Sequence, residues 1–332
     1  MGELMFRKLN EIVRTHRNTI LVSLAVIVIL LLLFWAAQAA GKTLWEYLEI
    51  LIIPSVLGAI ALLFNRAAKK REMDIALDNQ RQETMRAYFD RMSELLLRDG
   101  LRKSKKGSEV RSVARARTLS VFRILDGERK GQVLKFLYES ALIIGNNPVI
   151  PLEDADLTMI NLRKASLDGI NLHRTYLHKA HLVMTHLLGA HLVGAQLNDA
   201  NLDKAWLSDA DLLGVHLNNA SLDGALLSCA NLCAADLSGA NLRNARLNGV
   251  GLAGATLKGA VLNGANLKEA CVSPKDLLEA SSLDNATLPD RTKYEEWVAR
   301  GMPDWGRPDW TKEGRQPRRD EFGKRIGKNP RM

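Results

Sequence analysis

The chain has 332 residues, a formal net charge of +9 and 47% hydrophobic residues, so it can hold more than one structural unit and bury a sizeable core. Its three cysteines exclude a disulfide framework, and with no CxxC pair among Cys229, Cys233 and Cys271 they give no zinc site. The charge is uneven: residues 66–135 hold 19 Lys and Arg against 10 Asp and Glu, whereas residues 153–269 hold 9 against 11, which excludes a strongly acidic rod.

In chain order, residues 1–65 open with Arg7, Lys8, Arg14 and Arg17, followed by the uncharged run Ile20–Ala40. After Gly41-Lys42-Thr43 a second apolar run extends from Leu44 to Phe64. Each run has the length of a membrane span, and together they predict a two-helix transmembrane hairpin with spans 20–40 and 44–64. Flanking cations, Arg14 and Arg17 before it and Arg66, Lys69, Lys70 and Arg71 after it, place both termini in the cytoplasm. The expected localisation is therefore the cytoplasmic (inner) membrane, multi-pass. A cleaved signal peptide competes for the first run, because Ala37-Gln38-Ala39 has the form of a cleavage site.

Residues 66–107 read as a juxtamembrane helix and a basic linker. No Pro or Gly interrupts 66–98, Asp99-Gly100 ends the helix, and Met85, Tyr88, Met92 and Leu95 form an apolar seam along it. Residues 108–149 read as a two-helix cap: Ser108 starts a helix with Val110, Ala114, Thr118, Val121 and Leu125 on one face, and Asp126-Gly127 turns into a second with Val133, Leu134 and Leu137. A helix-turn-helix carrying Arg111, Arg115, Arg117 and Arg123 also admits a DNA-binding reading, but anionic lipid head groups account for such arginines more simply. Arg66, Lys69, Lys70, Arg71, Arg111 and Arg115 are thus the candidate lipid or anion contacts.

Residues 150–272 place a leucine at every fifth position from Leu152 to Leu267, which makes 24 consecutive pentads, and Ala stands two residues before that leucine in 17 of them. A period of five suits neither an amphipathic helix, whose stripe it would rotate, nor a flat strand, whose faces it would alternate. It suits a solenoid that turns a corner once per pentad and points every Leu and every small residue at one axis.

The strings Ala200-Asn201-Leu202-Asp203-Lys204 and Ala235-Asp236-Leu237-Ser238-Gly239 resemble the A-(D/N)-L-x-x pattern of the pentapeptide-repeat family. That resemblance implies a right-handed quadrilateral β-helix of about six coils, four pentads to a coil, with residues twenty apart stacked. The expected fold class is an all-β solenoid preceded by an α-helical part with the transmembrane hairpin. The string VARARTLSVFRILDGERKGQVLKFLYESALI is similar to the helical segment before the repeats in membrane-anchored bacterial members. Beyond the array, 273–290 reads as a C-terminal cap begun by Ser273-Pro274, and 291–332 as a basic tail without fixed structure.

No catalytic fingerprint is present, and no cofactor or metal is expected; His181, His186 and His191 fall in successive pentads and so on different faces. The reading is a non-catalytic, membrane-anchored scaffold that presents a rigid surface to a protein partner in the cytoplasm, with self-association left open. The alternative is a DNA mimic or nucleic-acid-associated regulator of the topoisomerase-protecting type known in the family, for which this solenoid has the wrong charge. The candidate interaction patch is His186, Trp206 and Leu226, twenty apart, with Leu188 beside them and Val193 over Leu213 on the adjacent face.

Overall fold

The computed structural model describes residues 44–301 together with Trp35, with side chains described from Val56 onward. The chain divides into two compact units, 1–79 and 80–332. What is described of the first unit is the leading part of helix α1 (Leu44–Leu97). Here Leu57, Leu62, Leu63 and Phe64 are exposed, as are Arg66, Lys69, Lys70 and Arg71 in the next turns.

Among the described residues no helix is long and apolar enough to cross a membrane. This corrects the expected hairpin, the multi-pass placement in the inner membrane and the two spans by which the membrane was expected as a partner. The helix that holds the expected second span carries Glu46 and Glu49 in its first two turns and runs on unbroken into the charged residues from Arg66, which hydrocarbon does not readily accommodate. The first expected span and the signal-peptide reading lie outside the described residues.

In the second unit, α1 continues from Gln80 and buries the seam Met85, Tyr88, Met92 and Leu95. Tyr88 shares a 2.8 Å hydrogen bond between hydroxyls with Thr118 of α2 (Glu109–Ile124), and Phe89 packs on Phe136 of α3 (Gly127–Glu139). Asp126 caps α3 by accepting from the Arg129 amide at 3.0 Å. These helices close the open end of the solenoid. The Gly127 carbonyl accepts from the Asn161 amide at 2.9 Å, and the Ile143 carbonyl from the Asn171 amide at 2.8 Å, so cap backbone satisfies donors that have no coil beneath them.

The contact is close. A Cβ on Gly127 would sit 2.0 Å from the Met159 carbonyl oxygen, and one on Gly131 2.3 Å from that of Asn161. Beside it Lys130, 5% exposed, puts its ammonium 3.3 Å from the Asp156 carboxylate and donates to the Thr158 carbonyl. Burial alone would raise the Asp156 pKa, but hydrogen bonds from Thr158 and the Lys130 charge outweigh it and hold the carboxyl below its usual value. A lowered folded-state pKa means stability present above the unfolded value of about 3.9 and lost as pH falls through the folded one. Asp156→Asn should therefore lower stability at pH 7, by an amount that solvent screening of this partly exposed carboxylate keeps modest, with the gap to wild type closing as pH falls through the carboxylate range in urea titrations.

The solenoid repeats one unit. In each pentad the leucine and the small residue point inward and are almost wholly buried, and the last residue adopts a left-handed backbone, as at Lys164, Met184 and Lys204 (φ 56 to 57°). The residue before each leucine pairs in parallel with its equivalent twenty residues on, from Asp156↔Tyr176 to Gly251↔Cys271. The Leu187 amide donates to the Trp206 carbonyl at 2.8 Å, for example, while the Trp206 amide donates to the Thr185 carbonyl at 2.9 Å. Thr175 and Thr185 occupy small-residue positions by giving their buried hydroxyls to the Leu172 and Leu162 carbonyls.

The expected all-β class also needs correction. Among the described residues the solenoid contains isolated bridges and no extended strands, because the chain turns a corner after each paired residue and two neighbours never pair in succession. Six coils are followed by a partial seventh. The short helix α4 (Pro274–Leu277) adds one residue, so the last pairs are 21 apart, Val261↔Ser282 and Asn266↔Thr287. The cap does not stop at residue 290: helix α5 (Tyr294–Ala299) buries Trp297, and the Tyr294 amide donates to the Ala286 carbonyl. Residues 302–332 of the expected tail lie outside the described residues.

Candidate interaction surface

Because the pentad points two of its five side chains inward, the outer surface is a set of columns, each built from residues one coil apart. Most columns are polar and internally bonded. Asn231 donates to Asp211 at 2.9 Å, and the Ser221 hydroxyl and the Asp223 amide both donate to one Asp203 oxygen.

One column differs. It runs Ser166, His186, Trp206, Leu226, Arg246, each paired to the next. The His186 and Trp206 rings lie 4.2 Å apart and within 7° of parallel, stacked one coil above the other. Trp206 nevertheless keeps 49% of its surface in solvent. Leu188, 47% exposed, stands two residues past His186, its amide held by the Asp168 carboxylate at 2.9 Å. Met184, at the corner before His186, adds a further exposed apolar side chain.

The structure thus brings together His186, Leu188, Trp206 and Leu226, and adds Met184, which the sequence reading missed although it occupies a plain outward position after Leu182. Val193 and Leu213 belong to another column, on the far side of the row His191–Asp211. Val193 lines a cleft of about 540 Å³ between that face and the cap, whose walls include Lys106, Arg111, Asn147, His173 and Glu153. The six-residue patch is therefore two surfaces.

The candidate anion contacts are distributed differently. Arg115 donates to the Pro151 carbonyl at 3.0 Å and the Glu153 carbonyl at 2.8 Å, capping the first pentad, and Arg111 donates to the Ser104 carbonyl at 2.6 Å. Both are spent on holding the cap together, whereas Arg66, Lys69, Lys70 and Arg71 are exposed on α1.

Among the described residues no group of three or more His, Cys, Asp or Glu could hold a metal ion. Cys229, Cys233 and Cys271 are free thiols, and burial pushes that of Cys233 up, away from a nucleophilic thiolate. The arrangement offers contact area and hydrogen bonds but no paired acid, base or nucleophile.

Comparison with known families finds the pentapeptide repeats model matching in eight copies over residues 155–192, 180–214, 216–251 and 240–273. No curated protein matches the chain. Among solved structures, it is similar to HetL, a pentapeptide repeat protein involved in heterocyst differentiation regulation in the cyanobacterium Nostoc sp. strain PCC 7120, at 29% identity over 44% of this chain and 79% of that one, TM-score 0.30. A pentapeptide repeat protein from the Arabidopsis thaliana thylakoid lumen is 25% identical over 36% of this chain and 72% of that one, TM-score 0.22. Rfr23 from the cyanobacterium Cyanothece 51142 is 28% identical over 33% and 82%, TM-score 0.20.

Proposed function

Because this chain belongs to the pentapeptide-repeat family through residues 155–273, we propose that it is a non-catalytic scaffold whose solenoid presents a rigid binding surface to a protein partner. The observation that carries this reading is Trp206, half in solvent yet fixed by its stack on His186 in a column that also holds Leu226. A large aromatic side chain already immobilised loses little entropy on binding, which is why such residues dominate interface energetics. A partner that covers it would also cover Met184 and Leu188, which supply an apolar centre, with Lys204 and Arg246 at the rim. The acidic-rod alternative has no such support, since the solenoid carries 9 basic against 11 acidic residues.

The test is a crosslinking pull-down with wild-type and Trp206→Asp chains, alongside thermal unfolding of both. Loss of a specific captured protein with an unchanged midpoint supports the reading, because an outward side chain contributes little to the axial core. Equal capture by both chains sinks it.

A further inference from the structure

The end of α1 and the turn that follows form a second surface, unrelated to the aromatic column. α1 ends at Leu97, Gly100 adopts a left-handed backbone (φ 61°), and a 3-10 turn covers Leu101–Lys103. That turn is well anchored: Leu101 is fully buried, the Ser104 hydroxyl donates to the Leu101 carbonyl at 2.6 Å, and Arg111 donates to both the hydroxyl and the carbonyl of Ser104. The result is a preformed notch of about 450 Å³ lined by Ser93, Leu96, Leu97, Gly100, Arg102 and Lys103.

Two properties of this notch oppose each other in water. Its wall carries Leu97, which at 85% has the highest exposure of the described large apolar side chains, and this is a large hydration cost to keep at a helix end. Its rim is cationic. Arg102 and Lys103 line it and Arg98 follows Leu97, and none of the three makes a salt bridge among the described residues; of the neighbouring carboxylates Glu94 is already taken by Arg91, and Asp99 offsets one of the three charges. The Glu94 carboxyl is held below its usual value first by that hydrogen bond and further by the charges of Arg91, Arg98 and Arg117, so the local field favours negative charge.

We propose that this notch docks an acidic segment of a partner protein, with an aliphatic side chain seated against Leu96 and Leu97 and flanking carboxylates on Arg98, Arg102 and Lys103. The charge selects an anionic partner and the apolar wall selects a peptide. A nucleic acid would need an aromatic platform for its bases or a continuous phosphate track, and no aromatic side chain lines the notch. Preorganisation by Leu101 and Arg111 removes the cost of ordering the loop, which suits recognition of a flexible segment.

The test uses the full chain and a short labelled peptide in which a Leu pair is flanked by Asp and Glu, followed by fluorescence anisotropy. The expected result is binding that weakens with salt, falls about tenfold or more with Leu97→Asp, and falls again with Arg102→Glu combined with Lys103→Glu. All three positions are exposed, so the unfolding midpoint should hold in each variant. The Trp206→Asp chain should bind the peptide like wild type, which separates this site from the solenoid surface. The same peptide with Ser in place of its Leu pair should bind at least about tenfold more weakly. Equal affinity for the Ser peptide overturns the proposal, as does no binding at millimolar peptide. Binding of duplex DNA or phosphatidylserine vesicles that is lost in the notch variants, with the peptide unbound, overturns it in favour of those anions.

Discussion

A Gly131→Val chain should unfold at a markedly lower urea concentration than wild type, by about 3 kcal/mol or more, and should expose the cap to trypsin under native conditions. Helix propensity alone points the opposite way, since filling a mid-helix glycine gains up to about 1 kcal/mol with alanine and less with valine. The geometry overrules that gain: even the first added carbon would stand 2.3 Å from the Asn161 carbonyl oxygen, which belongs to backbone and cannot rotate away. Relief requires α3 to lift from the first coil, parting the bond from the Asn161 amide to the Gly127 carbonyl and loosening the buried Lys130–Asp156 pair. Gly131→Ala should already lower stability. A neutral or stabilising alanine would show that the cap shifts without loss, and would undo the argument that close backbone contact seals this end.

The second large effect lies in the axis. Leu207→Ala should cost about 2 to 5 kcal/mol, since the side chain is 1% exposed and its neighbours along the tube, Leu187 and Leu227, are held by the ladder and cannot collapse into the void. Its neighbour Trp206, far larger but outward, should cost almost nothing when replaced. Chemical denaturation of the two variants side by side measures the contrast. Comparable losses would mean that the stacked indole is part of the core, and the binding surface would lose its main support.

The solenoid was legible in the sequence because its physics is local and periodic: each pentad solves the same problem, and a leucine at every fifth position from Leu152 to Leu267 permits one phase. The column His186–Trp206–Leu226 followed from counting in twenties. The caps were legible as helices but not as seals. Nothing near Gly131 announces that it must pass a carbonyl of Asn161, and nothing near Arg115 announces that it will bond the carbonyls of Pro151 and Glu153. Such contacts are chosen by the tertiary fit of distant segments. Helix α5 was hidden by composition, since Tyr294 and Trp297 lie next to a Pro- and Arg-rich stretch that drew the whole region into a tail. The hairpin was read from apolar length alone, and the notch at Leu97 escaped because exposure of a leucine cannot be inferred from a helix that buries Met92 and Leu95 so close by.

The twenty-residue register limits how this chain can change its length over evolutionary time. Removing one pentad would leave the core pattern intact yet turn everything downstream by a quarter revolution, so that Leu226 would leave the column of Trp206 and the seat of α5 would face a different side. Only whole coils can be gained or lost without rewriting both the surface and the closing helices. The solenoid is therefore a ruler with one allowed graduation, and duplications in its descendants should come in multiples of four pentads.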